Sequence, residues 1–167
     1  TDVKVIDVTS ECVKGGNPDE DGKASNLLDY NSKTYWHTDY KNVIGMPQSI
    51  TFDLGQIYVL EDLTFLPRQA GRNGDIHKFE VYVGNSTDYT QNTLTGEYIF
   101  ATSGPLNQSE WYRANVALNG EFTGQEYSLY FAGALNGEDA GAGNNILFYK
   151  LDDNGNPVLA RMNAFEQ

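Results

Sequence analysis

Hydrophobic and polar residues alternate with a period of two along most of this chain. The segments SITFDL (49–54) and HKFEVYVG (77–84) each place their apolar side chains on one face and polar ones on the other. Successive residues of a strand point to opposite faces, so such segments predict short, half-buried strands. The same alternation recurs in segments 3–8, 59–66, 97–102, 111–118, 126–132, 145–151 and 158–165.

Clusters of Gly, Asn and Asp separate these segments and predict turns between the strands. Examples are GGNPDEDG, GRNGD, GNSTD and DDNGNP. Short alternating strands with this punctuation are typical of an all-β sandwich or barrel. The only stretch that favours a helix is KASNLLDY (23–30), which predicts one or two turns. Segments 3–8 and 160–166 are expected to pair or lie close together, and no repeat or linker divides residues 1–167, which we interpret as one domain.

The composition of the chain argues against nucleic acid and membranes as partners. The formal net charge is −12 and the 11 basic residues are scattered, which disfavours nucleic acid and anionic membranes, because both require clustered Lys and Arg. No apolar run approaches the roughly 20 residues that a membrane-spanning helix needs, so no membrane insertion is expected. No signal peptide is recognisable, and the chain reads as a mature protein or an excised module. The single cysteine, Cys12, excludes an intrachain disulfide and is expected to be a small buried hydrophobe.

Catalytic motifs give no specific signal in this chain. There is no nucleophile elbow, no zinc-protease motif and no phosphate-binding glycine loop. The 23 acidic residues would allow many carboxylate pairs for glycoside hydrolysis, and none of those pairs is singled out. Of the two histidines, His77 begins a predicted strand and is expected to face solvent. A non-catalytic protein is therefore the favoured interpretation.

Two residues at strand ends fit the recognition of a neutral sugar. In TYWHTDY (34–40), burial of Trp36 would present His37 on the opposite side, since neighbours in a strand point apart. Arg68 follows Pro67, which ends a predicted strand, and a guanidinium can donate two hydrogen bonds to adjacent hydroxyls. The alternatives are a structural role for His37 and a surface salt bridge for Arg68. Arg72, in the same loop as Arg68, is a competing candidate.

The turn NLLDYNSKT (26–34) carries hard oxygen ligands that suit Ca²⁺. Asp29 supplies a carboxylate, Thr34 supplies a hydroxyl and a carbonyl, and Glu166 could complete the shell if the last strand passes beside the turn. The alternative is that these side chains only cap the backbone of the turn.

The chain resembles the F5/8 type C (discoidin-like) family, and most closely the bacterial carbohydrate-binding modules of family 32. The resemblance is carried by ASNLLDYNSKTYWHTDY, then PQSITFDLG, then YVLEDLTFLPRQAGRNGDIHKFEVYVG, in that order, and it covers residues 10–88. In the second half, QEYSLYF lacks two arginines of the family pattern, and residues 133–157 form a longer insertion than usual. The resemblance implies an eight-stranded antiparallel jelly-roll β-sandwich, like other galactose-binding domains.

The resemblance also implies two sites. A structural Ca²⁺, without a catalytic role, would be held by oxygens of Asn26, Asp29, Asn31, Thr34, Ala164 and Glu166, although Tyr30 stands where the family commonly has Gly. Galactose-type sugars would be bound by His37 and Arg68, with Asn73 in the following loop and Glu20 in the first loop. The aromatic residue that stacks on the sugar normally comes from a late loop, where Phe148 and Tyr149 are the nearest candidates.

The resulting expectation is a non-catalytic module that binds glycans ending in galactose or N-acetylgalactosamine. It would be one of several domains of a larger secreted or surface glycoside hydrolase, located outside a bacterial cell, on its surface or in the periplasm. The alternative is an adhesion domain that binds protein and has a degenerate sugar site. The absent late-loop aromatic residue and the insertion at 133–157 favour that alternative. An enzyme is the third and least favoured interpretation.

Overall fold

A computed structural model gives the fold. It describes residues 3–42, 45–71, 73–100, 105–116, 124–131, 142–143 and 145–159. These ranges contain two short 3₁₀ helices, Ala24–Leu28 and Tyr89–Gln91. Their strands are β1 (Lys4–Val8), β2 (Trp36–His37), β3 (Gln48–Tyr58), β4 (Leu60–Leu66), β5 (Lys78–Gly84), β6 (Thr93–Ile99), β7 (Tyr112–Asn115), β8 (Gly124–Phe131), β9 (Ala142–Gly143), β10 (Asn145–Leu151) and β11 (Pro157–Leu159).

The strands form two main antiparallel sheets. One has five strands in the order β1-β3-β8-β5-β6, and the other has four in the order β11-β10-β4-β7. The short strands β2 and β9 pair with each other, with Trp36 opposite Gly143 and His37 opposite Ala142. The predicted all-β sandwich is confirmed. The predicted count of eight strands is not confirmed, because the described ranges alone contain eleven, several of them only two or three residues long.

The core lies between the two sheets and follows from the period-two pattern. Alternate residues of β5 are buried, residues 48–52 of β3 are buried without interruption, and the facing strands β4 and β10 supply further apolar side chains. Phe52 of β3 meets Phe148 of β10 edge to face, with ring centroids 5.1 Å apart. Burial of each such side chain stabilises the fold by about 1.5–3 kcal/mol. Phe148, a candidate for stacking on a sugar, is therefore a core residue with 0% exposure.

The helix predicted within residues 23–30 is confirmed as the 3₁₀ helix Ala24–Leu28. Ala24 and Leu27 are buried, which fixes the helix against the core. The Glu11 carboxylate accepts a hydrogen bond of 2.7 Å from the backbone N–H of Ala24 and satisfies one donor at the start of the helix. No helix in the described part of the chain has the length and apolar character needed to cross a membrane.

The side chains of Cys12 and His77 are both removed from full contact with solvent. Cys12 is buried, as predicted, and burial, reinforced by the nearby Glu20, raises the pKa of its thiol to about 11. His77 does not face solvent freely: it is half-buried, and its Nε2 atom is enclosed with no hydrogen-bond partner among the described residues. The carbonyl of His77 accepts a 2.7 Å bond from the N–H of Phe100, which holds this position against the end of β6. The segment 160–166, predicted to lie near β1, falls outside the described residues.

Candidate functional site

Three segments that are distant in the sequence meet around Tyr35. The short strand β2 lies beside the segment that contains Cys12 and Gly22, because the His37 N–H donates to the Gly22 carbonyl at 3.0 Å and the His37 carbonyl accepts from Cys12 at 2.9 Å. A side chain at Gly22 would approach the Cβ atom of His37 to 3.1 Å. Glycine at this position therefore lets the first loop, which carries Glu20, pass close to His37.

Glu20 is held by two tyrosine hydroxyls. Tyr35 donates to one carboxylate oxygen at 2.6 Å, and Tyr40 donates to the other at 3.0 Å. Desolvation by itself raises the pKa of the Glu20 carboxyl, but the two hydrogen bonds and the nearby His37 and Arg68 outweigh it. The pKa of Glu20 therefore lies below its usual value, and the group is a carboxylate at neutral pH.

Arg68 packs its guanidinium on the ring of Tyr35. The guanidinium carbon lies 4.1 Å from the ring centroid, and one terminal nitrogen donates to the Tyr35 hydroxyl at 3.1 Å. Burial, and then the hydrogen bond to Glu20, raise the pKa of Tyr35 to about 12, so the hydroxyl stays protonated. The Nε atom of Arg68 is buried and has no hydrogen-bond partner among the described residues. Arg68 thus keeps donor capacity beyond its bond to Tyr35.

His37 completes the group. Its Nδ1 atom lies 2.7 Å from the Thr38 carbonyl, and its ring meets the rings of Tyr40 and Tyr35 at centroid distances of 5.1 and 6.4 Å. We call the five residues Glu20, Tyr35, His37, Tyr40 and Arg68 the Arg68 cluster.

The expectation that His37 is presented to solvent requires correction. Trp36 is fully buried, as predicted, and its indole N–H donates to the Ser10 carbonyl at 3.2 Å. His37 is buried as well, with only 3% of the residue exposed. Alternation does point the two side chains apart, but β2 is flanked by β9 and by the Gly22 segment, and aromatic rings surround the imidazole. Both faces of β2 are therefore covered.

Gln108, which is 40 positions away in the sequence, fixes the backbone of residues 68–71, which we call the Arg68 loop. Its side-chain amide nitrogen lies 3.1, 3.0 and 2.7 Å from the carbonyl oxygens of Arg68, Gln69 and Gly71, which share its two N–H donors. The Gln69 amide returns a hydrogen bond to the Gln108 carbonyl. Arg68 follows β4, which ends at Leu66, so its predicted position just past a strand end is confirmed. The loop thus holds Arg68 in place before any ligand arrives.

Of the remaining sugar-binding candidates, Tyr149 is not gathered at this cluster. Asn73 is exposed in the turn that follows the Arg68 loop. Tyr149 lies on β10 and pairs with Asp62 of β4. Asp62 precedes Arg68 by six residues, which is about 20 Å in an extended chain. Tyr149 thus lies well away from the strand end that carries Arg68. Arg72 falls outside the described residues.

The predicted metal ligands form a tight turn at residues 29–34, which we call the Asp29 turn. The Thr34 hydroxyl lies 2.6 Å from the Asp29 carboxylate and 3.0 Å from the Asn31 carbonyl. The Thr34 hydroxyl proton is therefore shared by two acceptor oxygens, and all three converging oxygens are of the hard type that Ca²⁺ prefers. The side chain of Asn26 braces the turn by donating to the carbonyls of Asp21 and Tyr35.

The described residues supply only part of a calcium shell. Asp29 is its one carboxylate, and no group of three or more His, Cys, Asp or Glu side chains is placed to hold a metal within the described ranges. Glu166 and Ala164, the two C-terminal ligands that the resemblance implies, lie outside those ranges. The donor types that are present fit the ion, so calcium remains a prediction.

Tyr35 and Tyr40 are members of the cluster that the sequence reasoning did not identify. The signal was available, because Tyr35 and His37 are two residues apart and so share one face of a period-two segment. Gln69 and Gln108 carried no such signal, since they meet across 39 positions.

Comparisons with known proteins agree with this architecture. The chain is 43% identical over 74 residues to an A type blood N-acetyl-α-D-galactosamine deacetylase of Flavonifractor plautii, which covers 44% of this chain and 9% of that protein. It is 31% identical over 117 residues to a sialidase of Micromonospora viridifaciens, which covers 65% of this chain and 18% of that protein. The chain thus spans less than a fifth of the length of each of these curated relatives.

Solved structures share the fold. CpGH89CBM32-5 from Clostridium perfringens, in complex with GalNAc-β-1,3-galactose, superposes with a TM-score of 0.70 at 27% identity, over 87% of this chain and 94% of that one. CBM32-3 from a family 31 glycoside hydrolase of the same organism gives a TM-score of 0.74 at 20% identity, over 89% and 90% of the two chains. The sequence profile of the F5/8 type C domain matches residues 7–122, which include the Arg68 cluster and the Asp29 turn. By fold, sequence and the extent of that match, the chain belongs to the F5/8 type C domain family.

Proposed function

We propose that this chain is a non-catalytic module that binds glycans ending in galactose or N-acetylgalactosamine, and that the Arg68 cluster is its binding site. The observation that carries the proposal is the arrangement of Arg68, which stacks on Tyr35 at 4.1 Å and retains a buried Nε without a partner among the described residues. A buried donor without a partner is costly, and a guanidinium has five N–H donors, of which the described residues engage one terminal nitrogen through Tyr35, so this half-buried side chain can still donate to ligand hydroxyls.

The chemistry of the cluster suits a neutral polyhydroxylated ligand. Arg68 donates, the Glu20 carboxylate accepts, and the tyrosine rings supply apolar faces for C–H groups. CpGH89CBM32-5, which is 27% identical to this chain, was solved with GalNAc-β-1,3-galactose. This supports galactose or N-acetylgalactosamine as the terminal sugar.

The proposed module would belong to a larger bacterial glycoside hydrolase that acts outside the cell or at its surface. Relatives and structural neighbours include a sialidase, a deacetylase and a domain of a family 31 glycoside hydrolase. We further propose that oxygens of Asn26, Asp29, Asn31 and Thr34 contribute to a structural calcium site completed by Ala164 and Glu166. The ion would stabilise the loop and take no part in sugar binding.

Isothermal titration calorimetry with galactose and N-acetylgalactosamine tests the proposed function. A monosaccharide with about 12 heavy atoms is expected to bind with a Kd on the order of 1 mM. The His37→Ala/Arg68→Ala double variant should lose saturable binding. Lys78→Ala, which removes a positive charge from the exposed Lys78–Glu97 ion pair between β5 and β6, should bind like the wild type. Equal binding by the double variant and the wild type would refute this site.

A protein-binding domain with a degenerate sugar site is the second candidate. The observation that favours it is the low exposure of His37, 3%, which limits direct contact between the imidazole and a ligand. This candidate predicts that the folded wild type shows no saturable heat with either sugar, up to concentrations about tenfold above 1 mM.

A further inference from the structure

A second pair of aromatic rings lies outside the Arg68 cluster. Tyr30 and Trp111 stack with ring centroids 6.3 Å apart and an interplanar angle of 23°. Both residues are half-buried, so each retains part of its surface at the solvent. The pair joins the turn after the 3₁₀ helix to the residue that precedes β7.

The pair lies at the same end of the sandwich as Arg68. In the register of β4 and β7, Tyr112 is opposite Phe65, and Trp111 is the next residue outward. From Phe65 to Arg68 the chain advances three residues, an extended distance of about 10 Å. Gln108, three residues before Trp111, donates to the Arg68 carbonyl. Trp111 therefore lies at the end of β7 that is next to Arg68 and the residues that follow it.

Tyr30 stands at a costly backbone position. Its φ of 55° makes it the one non-glycine residue with positive φ among the described residues. An L-residue in this left-handed region costs on the order of 1 kcal/mol, which glycine would avoid. A strained non-glycine residue is a reason to look for a role for its side chain, and here the side chain supplies the ring that stacks on Trp111.

The surroundings of the pair favour a sugar over a protein partner. The neighbouring residues Asp29, Asn31, Glu110 and Arg113 are polar and exposed. A stable protein interface buries about 800 Å² on each partner, which two half-buried rings in a polar surface do not offer. Aromatic rings flanked by hydrogen-bonding groups match the C–H face and the hydroxyls of a neutral sugar.

We propose that Tyr30 and Trp111 form a second sugar-binding face, which contacts the second or third residue of a glycan whose terminal sugar lies at the Arg68 cluster. This inference rests on the function proposed above and extends its ligand from a terminal monosaccharide to a neutral oligosaccharide. The two positions lie at the same end of the sandwich, which is the placement that one extended oligosaccharide requires.

The test compares the affinities for galactose and for lacto-N-neotetraose, a galactose-terminated tetrasaccharide, by calorimetry. The wild type should bind the tetrasaccharide about five- to tenfold more tightly, the gain expected from one additional aromatic contact. Tyr30→Gly removes the ring while suiting the positive φ, and Trp111→Ala removes the partner. Each should bring the ratio of the two affinities close to one while leaving galactose binding unchanged. Tyr30→Phe keeps the ring and should keep the ratio.

Fluorescence gives an independent readout in the unmodified chain. Trp36 is fully buried, so acrylamide quenching reports mainly on the half-buried Trp111. The tetrasaccharide should protect this tryptophan from quenching, whereas galactose alone should not.

The outcomes separate the two proposals. Galactose binding without a preference for the tetrasaccharide, or a preference that survives in both Tyr30→Gly and Trp111→Ala, overturns the second face and leaves the proposed function standing. A wild type that binds neither sugar overturns both. A preference lost in both variants, with melting temperatures that show them folded, supports the second face.

Discussion

The Arg68 cluster and the Asp29 turn are neighbours along the chain, yet they are built in different ways. The cluster joins side chains separated by 15 and 33 residues, through the contacts of Tyr35 with Glu20 and Arg68. The Asp29 turn closes within six residues, and its carboxylate and carbonyl face solvent. In the cluster, carboxylate, hydroxyl and guanidinium groups bind one another directly. In the turn, the Asp29 carboxylate and the Asn31 carbonyl both accept from the single Thr34 hydroxyl proton. This difference is the reason for proposing that the cluster binds the terminal sugar and that the turn binds a cation.

The largest expected effect separates the two regions by sugar affinity. Arg68→Ala removes charge-assisted hydrogen bonds, each worth about 1.5–3 kcal/mol, and should weaken galactose binding by about 10- to 100-fold. Asp29→Asn should change that affinity less than about twofold, because the Asp29 carboxylate is not part of the cluster proposed to bind galactose. Calorimetry in excess calcium measures both. Comparable losses in the two variants would show that the regions act as one site.

Calcium should affect stability through the Asp29 turn only. At a calcium concentration 100-fold above Kd, the free energy of unfolding should rise by about 2.7 kcal/mol. Thermal melts with calcium and with EDTA measure this difference. Asp29→Asn still accepts the hydrogen bond from the Asn31 N–H but lacks the charge, so its melting temperature should not respond to calcium. A calcium response in Asp29→Asn equal to that of the wild type would place the ion elsewhere.

Within the cluster, the Tyr35 hydroxyl can be tested apart from the ring. Tyr35→Phe keeps the stacking with Arg68 but removes the group that donates to Glu20 and accepts from Arg68. The free energy of unfolding should fall by about 1 kcal/mol, a typical value for a lost hydrogen bond. Chemical denaturation measures this change. A variant as stable as the wild type would mean that the hydroxyl does not hold the cluster together.

The smallest expected effect is a pH dependence of stability. The folded-state pKa of Glu20 lies below its ordinary value of 4.5. The stabilisation from this carboxylate is therefore complete above pH 4.5 and is lost as the pH falls through the folded-state pKa. Glu20→Gln cannot titrate, so the melting temperature of the wild type should fall toward that of the variant below pH 4.5. Parallel curves for the two proteins across that range would contradict this linkage.

Much of the fold was predictable from local patterns. The alternation of Ile50, Phe52 and Leu54 on β3 predicted both the strand and its buried face, and Pro67 marked the end of β4. The strands β2 and β9 were not predictable in this way, because two residues are too few to show a period. Without them, the burial of His37 could not be foreseen.

The sequence by itself determined the all-β class, the buried Trp36 and the oxygen-rich turn, since each depends on residues within a few positions of one another. Only the tertiary structure decided that Tyr35 lies between Glu20 and Arg68, and that Gln108 fixes the Arg68 loop. Pairing with Asp62 places Tyr149, a stacking candidate implied by the family resemblance, away from the strand end that carries Arg68. The physical reason is that contacts over long sequence separations depend on strand order and register, which alternation alone does not specify.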